Sequence, residues 1–147
     1  MIELRPSLPA ELANFSAWEQ DEDSRDYVTP YTLEQHQLEY ARDDIVYLSI
    51  YDGESLAGFF ILVLEPDQAS VEFRRIVVAE KGAGIGQSAI ACMETYCRDE
   101  LRRSRVWLDV FDFNQRGRHV YEKLGYKYFD SGTLRGEKLL FYEKSLV

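Results

Sequence analysis

Three glycines at alternate positions, Gly82, Gly84 and Gly86, lie in the stretch VEFRRIVVAEKGAGIGQ that runs from Val71 to Gln87. The residues before them, Ile76, Val77 and Val78, are β-branched strand formers. After them Ile85, Ala89, Ile90, Met93, Cys97 and Leu101 recur at helical spacing. A strand, a glycine loop and a helix start therefore follow one another. Such a junction presents unpaired backbone N–H groups and the positive end of a helix dipole, and glycine lets the backbone come close to a ligand. The chemistry on offer is anion binding. The competing reading is packing alone, with glycines that let a helix sit tightly after a turn.

Two known anion loops can be set aside. A Walker loop needs GxxxxGK[ST], which is absent. A dinucleotide fingerprint needs GxGxxG after a first strand, whereas here the spacing is Gly-x-Gly-x-Gly and a strand meander comes first. Asp109 does lie near the tip of the next strand, as a ribose-binding acid would. Metal chemistry has no foothold: His36 and His119 are far apart, and no metal cluster is visible. Cys92 and Cys97 fall on different faces of one helix, so they read as packing residues rather than a disulfide.

The elements that position these groups follow from the change of period along the chain. Residues 2–5 read as a strand. Ser7 as N-cap and Pro9 in the first turn open a helix through about Gln20, followed by a polar loop over 20–26. Thr32 and Gln35 form a capping box for a helix through Arg42, on which His36 is an ordinary packing or surface residue. Three strands, 45–51, 55–64 and 69–78, are joined by tight turns at Asp52-Gly53 and Pro66-Asp67. The glycine loop and its helix run to about Arg103. Residues 105–111 are a strand, parallel to 71–78 because a whole helix connects the two. A helix from Asn114 to Leu124 ends at the C-cap Gly125, and 126–130 with 138–144 close as a hairpin. The fold class is a mixed α/β, or α+β, single domain over 1–147: one mostly antiparallel sheet of six to seven strands, helices on both faces, one central parallel pair. Strict alternation along 71–78 puts Glu72, Arg74, Ile76 and Val78 on one face. Tyr121 stands two helical turns after Asn114, so both point at one cleft.

Composition bounds the partners. At 147 residues, 46% hydrophobic and 14% aromatic, the chain is long and apolar enough for a real core. Its longest apolar run, around Phe59–Leu64, is too short to span a membrane. The N-terminus has no signal-peptide pattern, so a cytoplasmic location is expected. A net charge of −9 speaks against nucleic acid. The charge is unevenly placed: residues 1–44 carry eleven acids and three bases, a net of −8, and residues 74–127 carry eleven bases and seven acids, a net of +4. Either this is a solvated surface without meaning, or the middle of the chain holds an anion while the N-terminal part faces a cation.

The segment KGAGIG resembles the acetyl-CoA loop of the GCN5-related N-acetyltransferases, Arg/Gln-x-x-Gly-x-Gly/Ala, with Lys81 in the first place and Gly84 and Gly86 matching. Downstream, LDVFDFNQRGRHVYEKLGYKYF resembles that family's second signature through Val110, Asn114, Tyr121, Lys123, Gly125 and Tyr126. The chain departs from the pattern at Lys81, at Gly117 where alanine is usual, and in a shortened turn before the loop. The resemblance implies acetyl transfer from acetyl-CoA to an amine, without a metal. It implies that the backbone of Gly82, Ala83, Gly84, Ile85, Gly86 and Gln87, with Lys81 beside it, cradles the pyrophosphate. It further implies that strand 71–78 splays from strand 105–111, so that the pantetheine arm pairs with Ile76, Val77 and Val78, and that Asn114 contacts it. Arg116 and Lys123 are either partners of the CoA phosphates or solvated surface charges. Tyr121 takes the place of the general acid toward sulfur, since a phenol is protonated at neutral pH. Glu72 takes the place of the base, with an ion pair to Arg74 as the alternative. The acidic N-terminal region forms the acceptor side, where Glu19, Asp21, Glu22, Asp23 and Asp26 attract a cationic amine and Phe15, Tyr27 and Tyr31 line a pocket or pack. A non-catalytic acyl-CoA-binding domain of the same fold is the alternative. The C-terminal hairpin is either the edge of a homodimer or core.

Overall fold

A computed structural model describes residues 1–20, 29–79 and 84–147. Among them are seven strands, β1 (Ile2–Pro6), β2 (Ile45–Asp52), β3 (Ser55–Leu64), β4 (Ser70–Val78), β5 (Arg105–Phe111), β6 (Lys127–Leu134) and β7 (Glu137–Ser145). The same residues form four α-helices, α1 (Leu12–Glu19), α2 (Leu33–Tyr40), α3 (Ile85–Asp99) and α4 (Gln115–Lys123). The sheet runs β1-β2-β3-β4-β5-β7-β6, and every neighbour is antiparallel except the pair β4–β5. That pair is short. Its register holds only Ser70↔Arg105, Val71↔Val106 and Glu72↔Trp107, after which the two strands part.

Each face of the sheet carries its own core. On one face Ile85, Ala89, Ile90, Met93 and Cys97 of α3 pack against Leu48, Ile50, Phe60, Leu62, Val71, Phe73, Val106, Leu108 and Val110. These α3 residues are the helical stripe expected from sequence, and their burial is what holds the helix. On the other face Leu12 and Phe15 of α1 pack with Ile45, Tyr47, Phe59, Ile61, Val63 and Val77. Phe15 stacks on Phe59 with ring centroids 4.1 Å apart. This second core covers β2, β3 and β4, so helices lie on both faces. Both cysteines are free.

Local chemistry explains most boundaries. In α2 the capping box forms: Gln35 N donates to Thr32 Oγ1 at 3.1 Å, and Thr32 N donates to Gln35 Oε1 at 2.8 Å. Asn114 is the N-cap of α4, its Oδ1 accepting from Gly117 N at 2.9 Å. At Gly117 a Cβ would lie 2.7 Å from Asn114 Nδ2, so glycine is what lets this cap fold back. Gly125 ends the segment at φ +97°.

Four expectations change. Ser7 is not a cap: its hydroxyl is buried against Ser49 Oγ at 2.8 Å, and a 3-10 turn at Pro9–Glu11 precedes α1. Helix α3 stops at Asp99, because Arg102 turns into the left-handed region at φ +56° and Arg103 N bonds back to Cys97 O at 2.9 Å. The closing hairpin is longer than read, because Arg135 and Gly136 both take positive φ, as a two-residue hairpin turn requires. The fourth concerns β4. Opposite β3, Ile61 pairs with Arg75 and Leu62 with Phe73, so Arg74 is an extra, bulged residue. The bulge resets the alternation. Ile76 and Val78 share the α3 face with Val71 and Phe73, while Val77 belongs to the opposite core. Glu72 is therefore not on the face of Ile76 and Val78.

Candidate active site

The site is built where β4 and β5 separate. Beyond Glu72 the β5-facing edge of β4 has no strand partner among the described residues, so the main chain of Ile76, Val77 and Val78 is open to an extended ligand on that side. At the end of β4 stands the N-terminus of α3. Gly84 is its N-cap at φ +73°, a left-handed conformation that favours glycine. Gly86 follows in the first turn beside Val78 Cγ2: a Cβ there would lie 4.0 Å from it. Ile85 is buried and anchors the turn, leaving the backbone N–H groups at Ile85, Gly86 and Gln87 without helical partners. Glu80, Lys81, Gly82 and Ala83 lie outside the described residues.

On the other wall of the opening, Asn114 and Tyr121 sit on α4 as the spacing predicts. The Tyr121 ring meets Phe73 edge-on at 5.9 Å and Tyr126 at 6.0 Å. Phe73 is the first β4 residue past the last β4–β5 pair. Tyr121 therefore stands at the point of the fork. Its hydroxyl makes no hydrogen bond among the described residues, and burial, with the charge of Asp109 adding to it, pushes its pKa up to about 12. The phenol is firmly protonated at neutral pH. Asn114 spends its oxygen on capping α4, and its amide nitrogen makes no hydrogen bond among the described residues. Arg116 and Lys123 are exposed.

Glu72 lies on the face away from α3. Both of its oxygens are held by Arg74, from Nε and from the terminal guanidinium nitrogen, each at 3.1 Å. Asp109 stands across the gap on β5, between the inward-facing Leu108 and Val110. It was legible in sequence only as a strand-tip acid. Its pKa is raised from the ordinary value, first by enclosure of the carboxyl, although the residue as a whole is exposed, and then by the charge of Glu72; Arg74 opposes.

The acidic N-terminal half behaves differently from the expectation. Glu19 is fully buried and does not face an incoming amine. Its Oε1 bonds His36 Nε2 at 2.6 Å and accepts from Tyr31 N at 3.1 Å, while its Oε2 accepts from Arg75 at 2.5 Å. A carboxylate only accepts, so Nε2 carries the hydrogen. His36 Nδ1 in turn meets the Tyr47 hydroxyl at 2.7 Å. The Arg75 guanidinium lies 4.1 Å over the Tyr31 ring. Phe15 and Tyr31 thus pack rather than line an open pocket. A buried charge needs partners, and sequence alone could not tell which of many acids would find them. Asp21, Glu22, Asp23, Asp26 and Tyr27 lie outside the described residues.

Residues 12–126 match the profile of the acetyltransferase (GNAT) family. The chain belongs to that family. No curated protein matches it. Among solved structures, the spermidine N-acetyltransferase of Vibrio cholerae in complex with CoA and spermine is similar with a TM-score of 0.85 at 18% identity, over 99% of this chain and 95% of that one. The aminoglycoside acetyltransferase AAC(6')-Ib in complex with coenzyme A gives a TM-score of 0.82 at 16% identity, over 99% and 95%. Its complex with coenzyme A and kanamycin gives 0.83 at 16%, over the same shares. At these identities the likeness is one of fold. As a GNAT enzyme the chain is an N-acetyltransferase with acetyl-CoA as donor. The residues present suit that donor: a helix N-terminus for a phosphate, an open strand edge for an amide-bearing arm, and a protonated phenol at the fork. Among the described residues no group of side chains could hold a metal ion, and no helix is long and apolar enough to cross a membrane.

Proposed function

We propose that the acceptor is a cationic primary amine and that the reaction takes place at the fork between β4 and β5. The observation that carries this reading is the unbonded Tyr121 hydroxyl at the point where the strands part, with carboxylates on the face away from α3. In this reading the N–H groups from Gly82 to Gln87, with Lys81, hold the pyrophosphate. The main chain of Ile76, Val77 and Val78 pairs with the pantetheine arm, and the Asn114 amide donates to it. The thioester then sits between Tyr121 on one face and the acceptor on the other. Tyr121 gives its proton to the leaving sulfur. Glu72, held by Arg74, lies on the side from which the amine arrives. The relatives solved with spermine and with kanamycin support a polycationic acceptor, as do the acids of residues 1–44.

Free-thiol release on mixing acetyl-CoA with spermidine, kanamycin and a lysine peptide is the direct test. Turnover with at least one of them is expected. CoA binding without release from any would make the chain a binding domain instead. Tyr121→Phe is expected to lower kcat by about 100-fold, in the range of general acid catalysis, with acetyl-CoA affinity little changed. Unchanged turnover would remove Tyr121 from the mechanism.

A further inference from the structure

Resting on the amine-acetylating reading above, we propose that Asp109 is the carboxylate that takes the proton from the incoming amine. Its place is set by the fold. Glu72↔Trp107 is the last β4–β5 pair, so Asp109 is two residues past it, where the strands have separated. Leu108 and Val110 turn into the core under α3, so Asp109 faces the other way, toward the side on which Glu72 lies. On that side the second core, among the described residues, reaches only as far as Val77 of β4, and Asp109 is exposed.

Its neighbours divide the labour. The charges of Glu72 and Arg74 act on it from β4, its own charge reaches the Tyr121 phenol of α4, and Phe141 pairs with it on β7. Glu72 has both oxygens engaged by Arg74, whereas the Asp109 carboxylate has no hydrogen bond or ion pair among the described residues. Arg74 acts on Asp109 only through space. The charge of Asp109 is also felt by the Tyr121 phenol, so acid and base flank the same gap from opposite faces. Enclosure of the Asp109 carboxyl and the nearby charge of Glu72 raise its pKa from the ordinary value, which favours its taking up a proton.

Asp109 takes one proton from the ammonium and becomes a carboxylic acid. The freed nitrogen lone pair forms the C–N bond at the thioester carbonyl carbon, and the C–S bond breaks with its electron pair leaving on sulfur. Tyr121 gives sulfur its proton, and the second nitrogen proton returns to the phenolate through solvent. Asp109 then loses its proton to water. Ammonium and acetyl thioester have become amide, thiol and one released proton.

The test compares wild type, Asp109→Asn and Glu72→Gln with spermidine and kanamycin, or, where the thiol assay accepts one of them alone, with that amine and a less basic analogue of it. In Asp109→Asn, kcat/KM is expected to fall about 100-fold at neutral pH, while CoA affinity by calorimetry stays within about twofold. The acidic limb of wild-type kcat/KM should hold the same pKa for spermidine and for the less basic kanamycin amines. In Asp109→Asn the limb should instead move with the amine, since only its free-base fraction can react. Glu72→Gln should keep the wild-type limb, and Asp109→Glu should restore it. Carbon NMR titration of carboxyl-labelled aspartates should show one resonance with a raised midpoint, lost in Asp109→Asn. An unchanged limb in Asp109→Asn, or equal losses of CoA binding and rate, would overturn the assignment while leaving amine acetylation standing. Failure of the wild type to release thiol with any amine would overturn both.

Discussion

The carboxylate of Asp67 accepts three hydrogen bonds at the turn into β4: Ala69 N at 2.9 Å and Ser70 N at 2.8 Å on one oxygen, and the Ser70 hydroxyl at 2.7 Å on the other. The Ala69 bond first, then those of Ser70, lower its pKa to about 2. A depressed folded-state pKa contributes stability that is present above the unfolded value, near 3.8, and is lost as pH falls through about 2. Asp67→Asn is therefore expected to melt below wild type by a constant interval near neutral pH, narrowing from about pH 4 downward and closing near pH 2. An interval independent of pH would show that the charge is not what the turn uses. Tyr121 and Asp109 belong to the same scale but to the opposite case: their surroundings raise the pKa values, which keeps one group a donor and makes the other a better acceptor.

Between elements, the Glu19 cluster ties α1 to α2 through His36, and both to β4 through Arg75. Arg75 follows the bulge at Arg74 and precedes Ile76, so β4 is clamped by buried charge from the face away from α3. Removing one member leaves the others buried without compensation, which is worth about 3–5 kcal/mol in comparable pairs. Glu19→Ala should lose that much in urea unfolding at an unchanged m-value; a loss below about 1 kcal/mol would show that the cluster relaxes into water. Close approach matters at the other side of β4 as well. A Cβ at Gly58 would sit 2.2 Å from Val77 O, so only glycine allows β3 to pair there.

Across the whole molecule, the two halves of the sheet meet through the three pairs of β4 and β5 and are then free to diverge. A donor that binds α3's N-terminus, β4's edge and α4 would bridge both halves, and its binding energy would add to the fold's stability. CoA at 100 times its Kd should stabilise the protein by about 2.7 kcal/mol, a rise in Tm of roughly 5–10 °C for a chain of this length, and NAD at the same concentration should give none. Equal shifts with both would mean that the anion site does not select CoA. The net charge of −9 repels the donor and attracts a cationic acceptor, so steering favours the amine.

The period of apolar residues, the Thr32–Gln35 box and the glycine turns at Gly53 and Gly125 made most elements readable along the chain, because local sterics and hydrogen bonds decide them. The loop-to-helix junction at Gly84–Gln87 and the Asn114–Tyr121 spacing were local too, and they carried the family resemblance. What tertiary structure alone decided is which carboxylates do what. Glu3, Glu19, Glu72, Asp67 and Asp109 are alike as letters. Only packing determines that Glu19 is sealed against His36 and Arg75, that Asp67 is saturated by a turn, that Glu72 is held by Arg74, and that Asp109 stands unpartnered at the fork. A one-residue bulge at Arg74 moved Glu72 to the other face, and no periodicity announces a bulge, because it is the pairing with β3 that requires it. Charge and desolvation act through space, so the chemistry of an acid is fixed by neighbours that lie far off in the sequence.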